Sequence, residues 1–190
     1  MDVEAIVLAG GRGSRLGGID KGALELGGES MLDRTLRAVA GFRVIVVGAD
    51  DVPEGIVSVV EEPRRGGPAA GIGAGLREAT SPYVLVVACD LPFLDEAIPV
   101  LLAAKRGSDG VIAIDADGRR QHLMLLARTA ALVESAASHE SLDGLSVRTL
   151  LAPLDLVEIE VPPRSTLDLD TWHDVEKAGF VVRPKEADRG

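Results

Sequence analysis

Apolar runs alternate with amphipathic or small-residue stretches through the first two thirds of the chain. The apolar runs predict strands at 3–9, 43–48, 57–61, 83–88 and 110–115. The intervening stretches predict helices at about 31–40, 68–79 and 95–106. Because helices lie between successive strands, we expect right-handed crossovers and an α/β fold with a mostly parallel central sheet.

The pattern becomes less regular in the last third of the chain. It predicts strands at 122–127 and 155–161 and helices at about 128–138 and 171–178. We therefore expect one domain over residues 1–182, with a first half at about 1–115, a second half at about 116–182 and a flexible polar tail at 183–190.

Composition narrows the class of protein. Of 190 residues, 46% are hydrophobic but only 3% are aromatic, which favours an aliphatic core. A net charge of −10 argues against nucleic-acid binding. With no membrane-length apolar run, an acidic start and a single cysteine, Cys89, the chain is expected to be cytoplasmic, away from membranes and without disulfides.

A glycine-rich loop follows the first predicted strand and holds the strongest concentration of positive charge. Residues 10–22 contain six glycines together with Arg12, Arg15 and Lys21. The spacing matches neither the P-loop nor the dinucleotide-binding fingerprint. Backbone N–H groups of such a loop can converge on phosphate oxygens while the three cations neutralise a triphosphate. The alternative is a flexible surface loop.

A carboxylate follows the most apolar strand. Asp90 comes directly after residues 83–88 and Cys89, at the strand end where open α/β sheets bind ligands. It is a suitable ligand for Mg²⁺, whose octahedron substrate phosphates and water can complete. The alternative is an Asx-turn that ends the strand.

These segments resemble a known family of nucleotidyltransferases. Leu8-Ala9-Gly10-Gly11, Arg15-Leu16-Gly17 and Asp20-Lys21 are similar to the signature shared by sugar-1-phosphate pyrophosphorylases and the molybdenum-cofactor guanylyl- and cytidylyltransferases. The segment 17–28 most closely resembles the molybdenum-cofactor guanylyltransferases. The resemblance implies a single-domain, Rossmann-like, three-layer α/β/α fold of the nucleotide-diphospho-sugar transferase type.

The resemblance also implies site residues. Arg15, Lys21 and Asp90 would be catalytic. The nucleotide would contact Leu8, Ala9, Gly10, Gly11, Arg15, Lys21, Asp50, Glu62, Gly67, Gly71 and Asp90.

Several of the remaining polar residues have two alternative assignments. Mg²⁺, or alternatively Mn²⁺, would bind Asp90, with a second ligand from Asp168 or Asp170, although Asp170 can equally cap a helix. Either Glu61 or Glu62 would contact base or ribose.

The second half would bind the acceptor. Arg119 and Arg120 suit its phosphate, Asp168 is a further candidate, and His122 is expected to be structural. Arg64 and Arg65 are either part of the nucleotide site or solvated surface charge.

The implied reaction transfers GMP from GTP to the terminal phosphate of molybdopterin and releases pyrophosphate. Transient contacts with proteins that supply molybdopterin or receive the product would follow. Alternatives are cytidylyl transfer to molybdopterin, guanylyl transfer to phospholactate, transfer to a sugar 1-phosphate, and a catalytically silent nucleotide-binding module.

Overall fold

The computed structural model describes residues 2–10, 12–13, 19–20, 25–104 and 107–168. The strands are β1 Val3–Leu8, β2 Arg12–Gly13, β3 Ile19–Asp20, β4 Glu25–Leu26, β5 Glu29–Ser30, β6 Arg43–Val47, β7 Val57–Val59, β8 Tyr83–Ala88, β9 Gly110–Ile114, β10 Arg120–Arg128 and β11 Leu156–Glu160. The helices are α1 Met31–Ala38, α2 Pro68–Glu78, α3 Leu94–Ala103, α4 Thr129–Ala137 and α5 Val147–Leu151, followed by a 3₁₀ helix at Pro163–Thr166.

Seven strands form one sheet in the order β11-β9-β10-β8-β1-β6-β7. All neighbouring pairs are parallel except those that β10 makes with β8 and β9. β2 pairs with β3 and β4 with β5 in two small antiparallel ribbons. The predicted mostly parallel α/β sheet is confirmed, and β10 is its reversed strand.

Helices cover both faces of the sheet. α1 and α3 pack on one face against alternate residues of β1, β6 and β8, such as Ala5 and Val87. α2, α4 and α5 pack on the other face against the intervening residues, such as Ile6 and Val86. The central strands are buried on both faces, so apart from Glu4 on β1 their buried residues are apolar without alternation.

Glycines allow α2 to lie close to the sheet. A Cβ on Gly75 would lie 2.6 Å from Ile6 Cγ2, and a Cβ on Gly71 would lie 3.2 Å from Leu8 Cδ2. Because the two glycines are four residues apart, they share one face of the helix. The small residues of this helix therefore bring its backbone against β1.

A buried carboxylate stabilises the amino-terminal edge of the sheet. Glu4 is 2% exposed and accepts hydrogen bonds from Thr80 N at 2.7 Å, Thr80 Oγ1 at 2.7 Å and Ser81 N at 3.2 Å. Arg43 Nη1 donates to it at 2.9 Å. Burial by itself raises the pKa of Glu4, but these hydrogen bonds outweigh burial, so its pKa lies below the ordinary value.

The boundaries of the predicted elements are close to the observed ones, with α3 ending at Ala103 rather than near residue 106. The short helix α5 and the 3₁₀ helix were not predicted. The predicted helix at 171–178 and the tail lie outside the described residues. None of the helices within the described ranges is long and apolar enough to cross a membrane.

Candidate functional site

The ends of β1 and β6 approach each other through two glycines. Val47 O accepts hydrogen bonds from Ala9 N at 2.8 Å and from Gly10 N at 3.2 Å. Gly48 has a φ of +90°, and a Cβ on it would lie 2.7 Å from Gly10 Cα. Backbone contact with the neighbouring strand therefore fixes the start of the glycine-rich loop.

The turn before α2 lies at the same carboxyl-terminal edge. Gly67 has a φ of +90° and is the N-cap of α2, whose first residue is Pro68. Gly71, one turn further, is buried against Leu8 and Val47. The amino terminus of α2 is therefore beside the end of β1, where its peptide dipoles favour negative charge.

Asp90 emerges from β8 beside the end of β1. Cys89 N donates to Leu8 O at 3.1 Å, which continues the parallel pairing by one residue. Cys89 and Leu91 are buried, whereas Asp90 is half-buried. The geometry places the carboxylate-bearing residue next to the strand that leads into the glycine-rich loop.

The segment that leads to Asp168 is attached to the chain that follows Asp90. The Arg164 guanidinium lies 3.9 Å from the centroid of the Phe93 ring, and its Nη1 lies 3.6 Å from Glu96 Oε1. Arg164 precedes Asp168 by four residues, and Phe93 follows Asp90 by three. The contact brings the two aspartate-bearing segments to one region of the molecule.

The acidic residues proposed for base or ribose recognition differ in their surroundings. Glu61 Oε1 accepts a hydrogen bond from Arg65 N at 2.8 Å and thereby supports a left-handed turn with φ of 69° at Arg65. Glu62 is exposed and makes the cis peptide bond with Pro63.

The other charged candidates of this region lie on the surface. Asp50 Oδ1 and Arg64 Nη2 are 3.5 Å apart, with 78% and 70% of their side chains exposed. An ion pair this exposed contributes little to stability. Glu62 lies exposed before α2, and its contact with base or ribose stays a prediction.

The turn between β9 and β10 is organised by a residue that the sequence analysis missed. Asp115 Oδ1 accepts hydrogen bonds from Asp117 N and Arg119 N, both at 2.9 Å, and Gln121 Nε2 donates to Asp115 Oδ2 at 3.1 Å. The Asp-x-Asp-Gly sequence, with Gly118 at a φ of +77°, is a signal for such a turn.

The two arginines of this turn have different partners. Arg119 Nη1 pairs with Asp117 at 3.2 Å on the surface, whereas Arg120 Nε donates to Glu158 Oε1 on β11 at 2.7 Å. Their predicted role at the acceptor's phosphate stays a prediction.

Several predicted site residues lie outside the described residues: Gly11, Arg15, Lys21 and Asp170. Leu8, Ala9, Gly10, Gly67, Gly71 and Asp90 are brought together at one edge of the sheet.

The donor chemistry at this edge fits a hard divalent cation. Carboxylate oxygen is the donor type that Mg²⁺ prefers, and one or two carboxylates are enough when phosphates complete the coordination. Within the described ranges, no group of three or more His, Cys, Asp or Glu side chains is arranged to hold a metal ion.

Comparison with known proteins identifies the family. Residues 5–157 match the MobA-like NTP transferase domain. The chain belongs to this family. It is a nucleotidyltransferase, and members of the MobA-like family generally depend on a divalent metal.

Relatives support this assignment along most of the chain. The molybdenum cofactor guanylyltransferase of Cupriavidus metallidurans is 33% identical over 198 residues, which cover 93% of this chain and 96% of the relative. That of Shewanella baltica is 34% identical over 132 residues, covering 65% of this chain and 67% of the relative.

A solved structure confirms the fold of this MobA-like chain. The molybdopterin-guanine dinucleotide biosynthesis protein A of Archaeoglobus fulgidus superposes with a TM-score of 0.69. Its sequence identity is 22%, and the match covers 92% of this chain and 96% of that protein. The expected nucleotide-diphospho-sugar transferase architecture is therefore observed.

Proposed function

We propose that the chain transfers GMP from GTP to the terminal phosphate of molybdopterin and releases pyrophosphate. The observation that carries the proposal is the convergence of Gly10, Asp90 and the amino terminus of α2 at one edge of the sheet. The names of the two guanylyltransferase relatives support GTP and molybdopterin as substrates.

The nucleotide would lie across this edge. Backbone groups of Leu8, Ala9, Gly10 and Gly11 would surround it, and Arg15 and Lys21 would stabilise the charge of the departing pyrophosphate. Gly67 and Gly71 would permit close approach of α2, while Glu62 and Asp50 would contribute to recognition of base or ribose.

An acceptor phosphate oxygen would attack the α-phosphorus, and the bond from that phosphorus to the bridging oxygen of pyrophosphate would break. The attacking phosphate is already ionised at neutral pH, so no general base is required. Asp90, with Asp168 or Asp170, would hold Mg²⁺, which supplies charge neutralisation between the reacting phosphates. The protein's remaining contribution is to align two anions. Action in the cytoplasm stays a prediction from the sequence.

Substitution of Asp90 tests the proposal. Asp90→Asn is expected to reduce pyrophosphate release from GTP and molybdopterin by about a thousandfold, because metal-based charge stabilisation is worth several kcal/mol. Asp95→Asn is the matched control, since Asp95 is an exposed residue of the first turn of α3. Thermal unfolding of both variants checks that the fold is intact, and full activity of Asp90→Asn would refute the metal-site assignment.

The choice of substrates is tested with the wild-type protein. Each of the four NTPs is incubated with Mg²⁺ and with molybdopterin, phospholactate or a sugar 1-phosphate, and pyrophosphate and the mass of the product are measured. Product only from GTP and molybdopterin supports the proposal. Product from CTP or from another acceptor would refute the proposal and assign that activity to the chain instead. Nucleotide binding without any product would indicate a catalytically silent module.

A further inference from the structure

The turn between α4 and α5 packs against α2. This α4–α5 turn, residues 138–146, carries Leu142, whose side chain occupies the space beside Gly73: a Cβ on Gly73 would overlap Leu142 Cδ1. Gly73 is buried, and Leu142 is half-buried against the core cluster that α2 shares with the sheet. The α4–α5 turn therefore fills a notch on α2 that is open because residue 73 has no side chain.

A backbone hydrogen bond joins the same turn to the residue before the N-cap of α2. Gly144 N donates to Gly66 O at 2.8 Å. Gly144 has a φ of +69°, and Leu145 N donates to Leu142 O at 3.2 Å, which closes the turn around Gly144. Gly66 is itself buried. The α4–α5 turn thus holds the start of α2 by one apolar contact and one hydrogen bond.

The hydrogen bond fixes the direction of the first donor of α2. The peptide bond between Gly66 and Gly67 is trans, so its N–H and its C=O point in opposite directions. Since Gly66 O faces Gly144 N, the N–H of Gly67 faces away from the α4–α5 turn. Pro68 has no N–H, so Gly67 supplies the first N–H of this helix end.

We propose that Leu142 and Gly144 are positioning residues of the nucleotide site. They hold Gly67 and the start of α2 in the geometry that receives the nucleotide, and they do so without contacting it. The inference rests on the proposed function, which places the nucleotide at this end of α2. Hydrogen bonds weaken steeply when the donor turns away from the acceptor, so a small rotation of the Gly67 N–H lowers nucleotide affinity. On this inference the second half of the chain, expected from the sequence to bind the acceptor, also supports the nucleotide.

The first experiment empties the notch on α2. Calorimetric titration with GTP and Mg²⁺, without acceptor, is expected to show about tenfold weaker binding by Leu142→Ala, because a hydrogen bond to a charged group is lost or misaligned. Leu154→Ala is the matched control, since Leu154 is also half-buried and packs against the same core cluster, but from the turn before β11. The control should change GTP affinity by less than about twofold.

The second experiment tests the same contact from the side of α2. In Gly73→Ala the new methyl group overlaps Leu142, displaces α2 and should weaken GTP binding about tenfold. In the double variant Leu142→Ala/Gly73→Ala the methyl group occupies the space that Leu142 has left, so GTP affinity should return to within about threefold of wild type. Additive losses, about a hundredfold in the double variant, would show that the two residues act independently and would overturn the proposal.

A third pair of variants tests the hydrogen bond. Gly144→Pro removes the donor to Gly66 O, and Gly55→Pro is its control because Gly55 is also exposed and has a φ of +89°. Both should lose stability in urea unfolding, since proline cannot adopt a positive φ. Only Gly144→Pro should raise the KM for the NTP, by about tenfold and with little change in the KM for the acceptor.

The outcomes separate this inference from the proposed function. If Leu142→Ala binds GTP as tightly as wild type, the inference is wrong and the proposed function stands; this variant also decides the matter if Gly144→Pro does not fold. Should the wild type bind GTP but transfer no nucleotide, the proposed function fails, and the GTP affinities of the variants still decide the inference. No binding of any NTP by the wild type would overturn both.

Discussion

Adding one methyl group at Gly48 is expected to lower the stability of the fold and to disturb the start of the proposed nucleotide site. In Gly48→Ala the new Cβ would lie 2.7 Å from Gly10 Cα and 2.8 Å from Gly10 N. These are backbone atoms, so no side-chain rotation relieves the contact. The positive φ costs an alanine about 1–2 kcal/mol, and the forced backbone movement adds about 1–3 kcal/mol. We expect a loss of about 3–4 kcal/mol in the free energy of unfolding.

Gly55→Ala separates the two contributions. Gly55 has a φ of +89°, close to the +90° of Gly48, but nothing lies within 4 Å of a Cβ at that position. The control should therefore lose only about 1–2 kcal/mol. In a chain of this length the expected decrease in Tm is about 4 °C for Gly55→Ala and about 10 °C for Gly48→Ala.

The assays are urea unfolding and calorimetric titration with GTP. Because Gly48→Ala displaces Gly10, it should also weaken GTP binding, whereas Gly55→Ala should not. Unfolding free energies that agree within about 0.5 kcal/mol between the two variants would show that the close approach of Gly10 and Gly48 has no energetic importance.

Two further predictions concern charged side chains. Glu4→Gln should lower the unfolding free energy by about 2 kcal/mol at pH 7, since it weakens charge-assisted hydrogen bonds. Because the pKa of Glu4 is lowered by folding, this stabilisation is complete above its ordinary value of 4.5 and is lost as the pH falls through the lower folded value. Urea unfolding at several pH values should show the variant and wild type converging below pH 4.5, and a constant difference would contradict the assignment. Arg164→Gln removes a cation–π contact worth about 0.5–1 kcal/mol, which holds the segment leading to Asp168 against Phe93. Because Asp168 is a proposed metal ligand, the Mg²⁺ concentration for half-maximal activity should rise about threefold. An unchanged Mg²⁺ dependence would show that Arg164 does not position the Asp168 segment.

The apolar strands and the crossover helices could be predicted from sequence because both signals are local. Buried parallel strands are continuous apolar runs, such as residues 83–88, and each is followed by a turn or helix signal. The position of Asp90 at a strand end followed from the same pattern. The reversed direction of β10 could not be read in this way, because an apolar run does not indicate its neighbours in the sheet.

The features that were missed depend on short elements or on contacts between distant parts of the chain. α5 has five residues, too few for a helical period to be visible. The contact of Arg164 with Phe93 joins residues 71 positions apart, and the packing of Gly48 on Gly10 depends on strand pairing.

The reversed direction of β10 makes one hairpin structurally separate from the parallel strands at the same edge of the sheet. In the parallel strands of this sheet, the residues at the carboxyl end lead directly into the following loop. Altering these residues therefore also alters that loop. β10 instead reaches that edge with its first residues, which are joined to β9 by the Asp115 turn alone. The hairpin can therefore vary in length and sequence while β1, β6 and β8 keep their carboxyl-terminal edge unchanged. Exchange of this single hairpin between relatives would therefore alter one part of the carboxyl-terminal edge and leave the parallel strands in place.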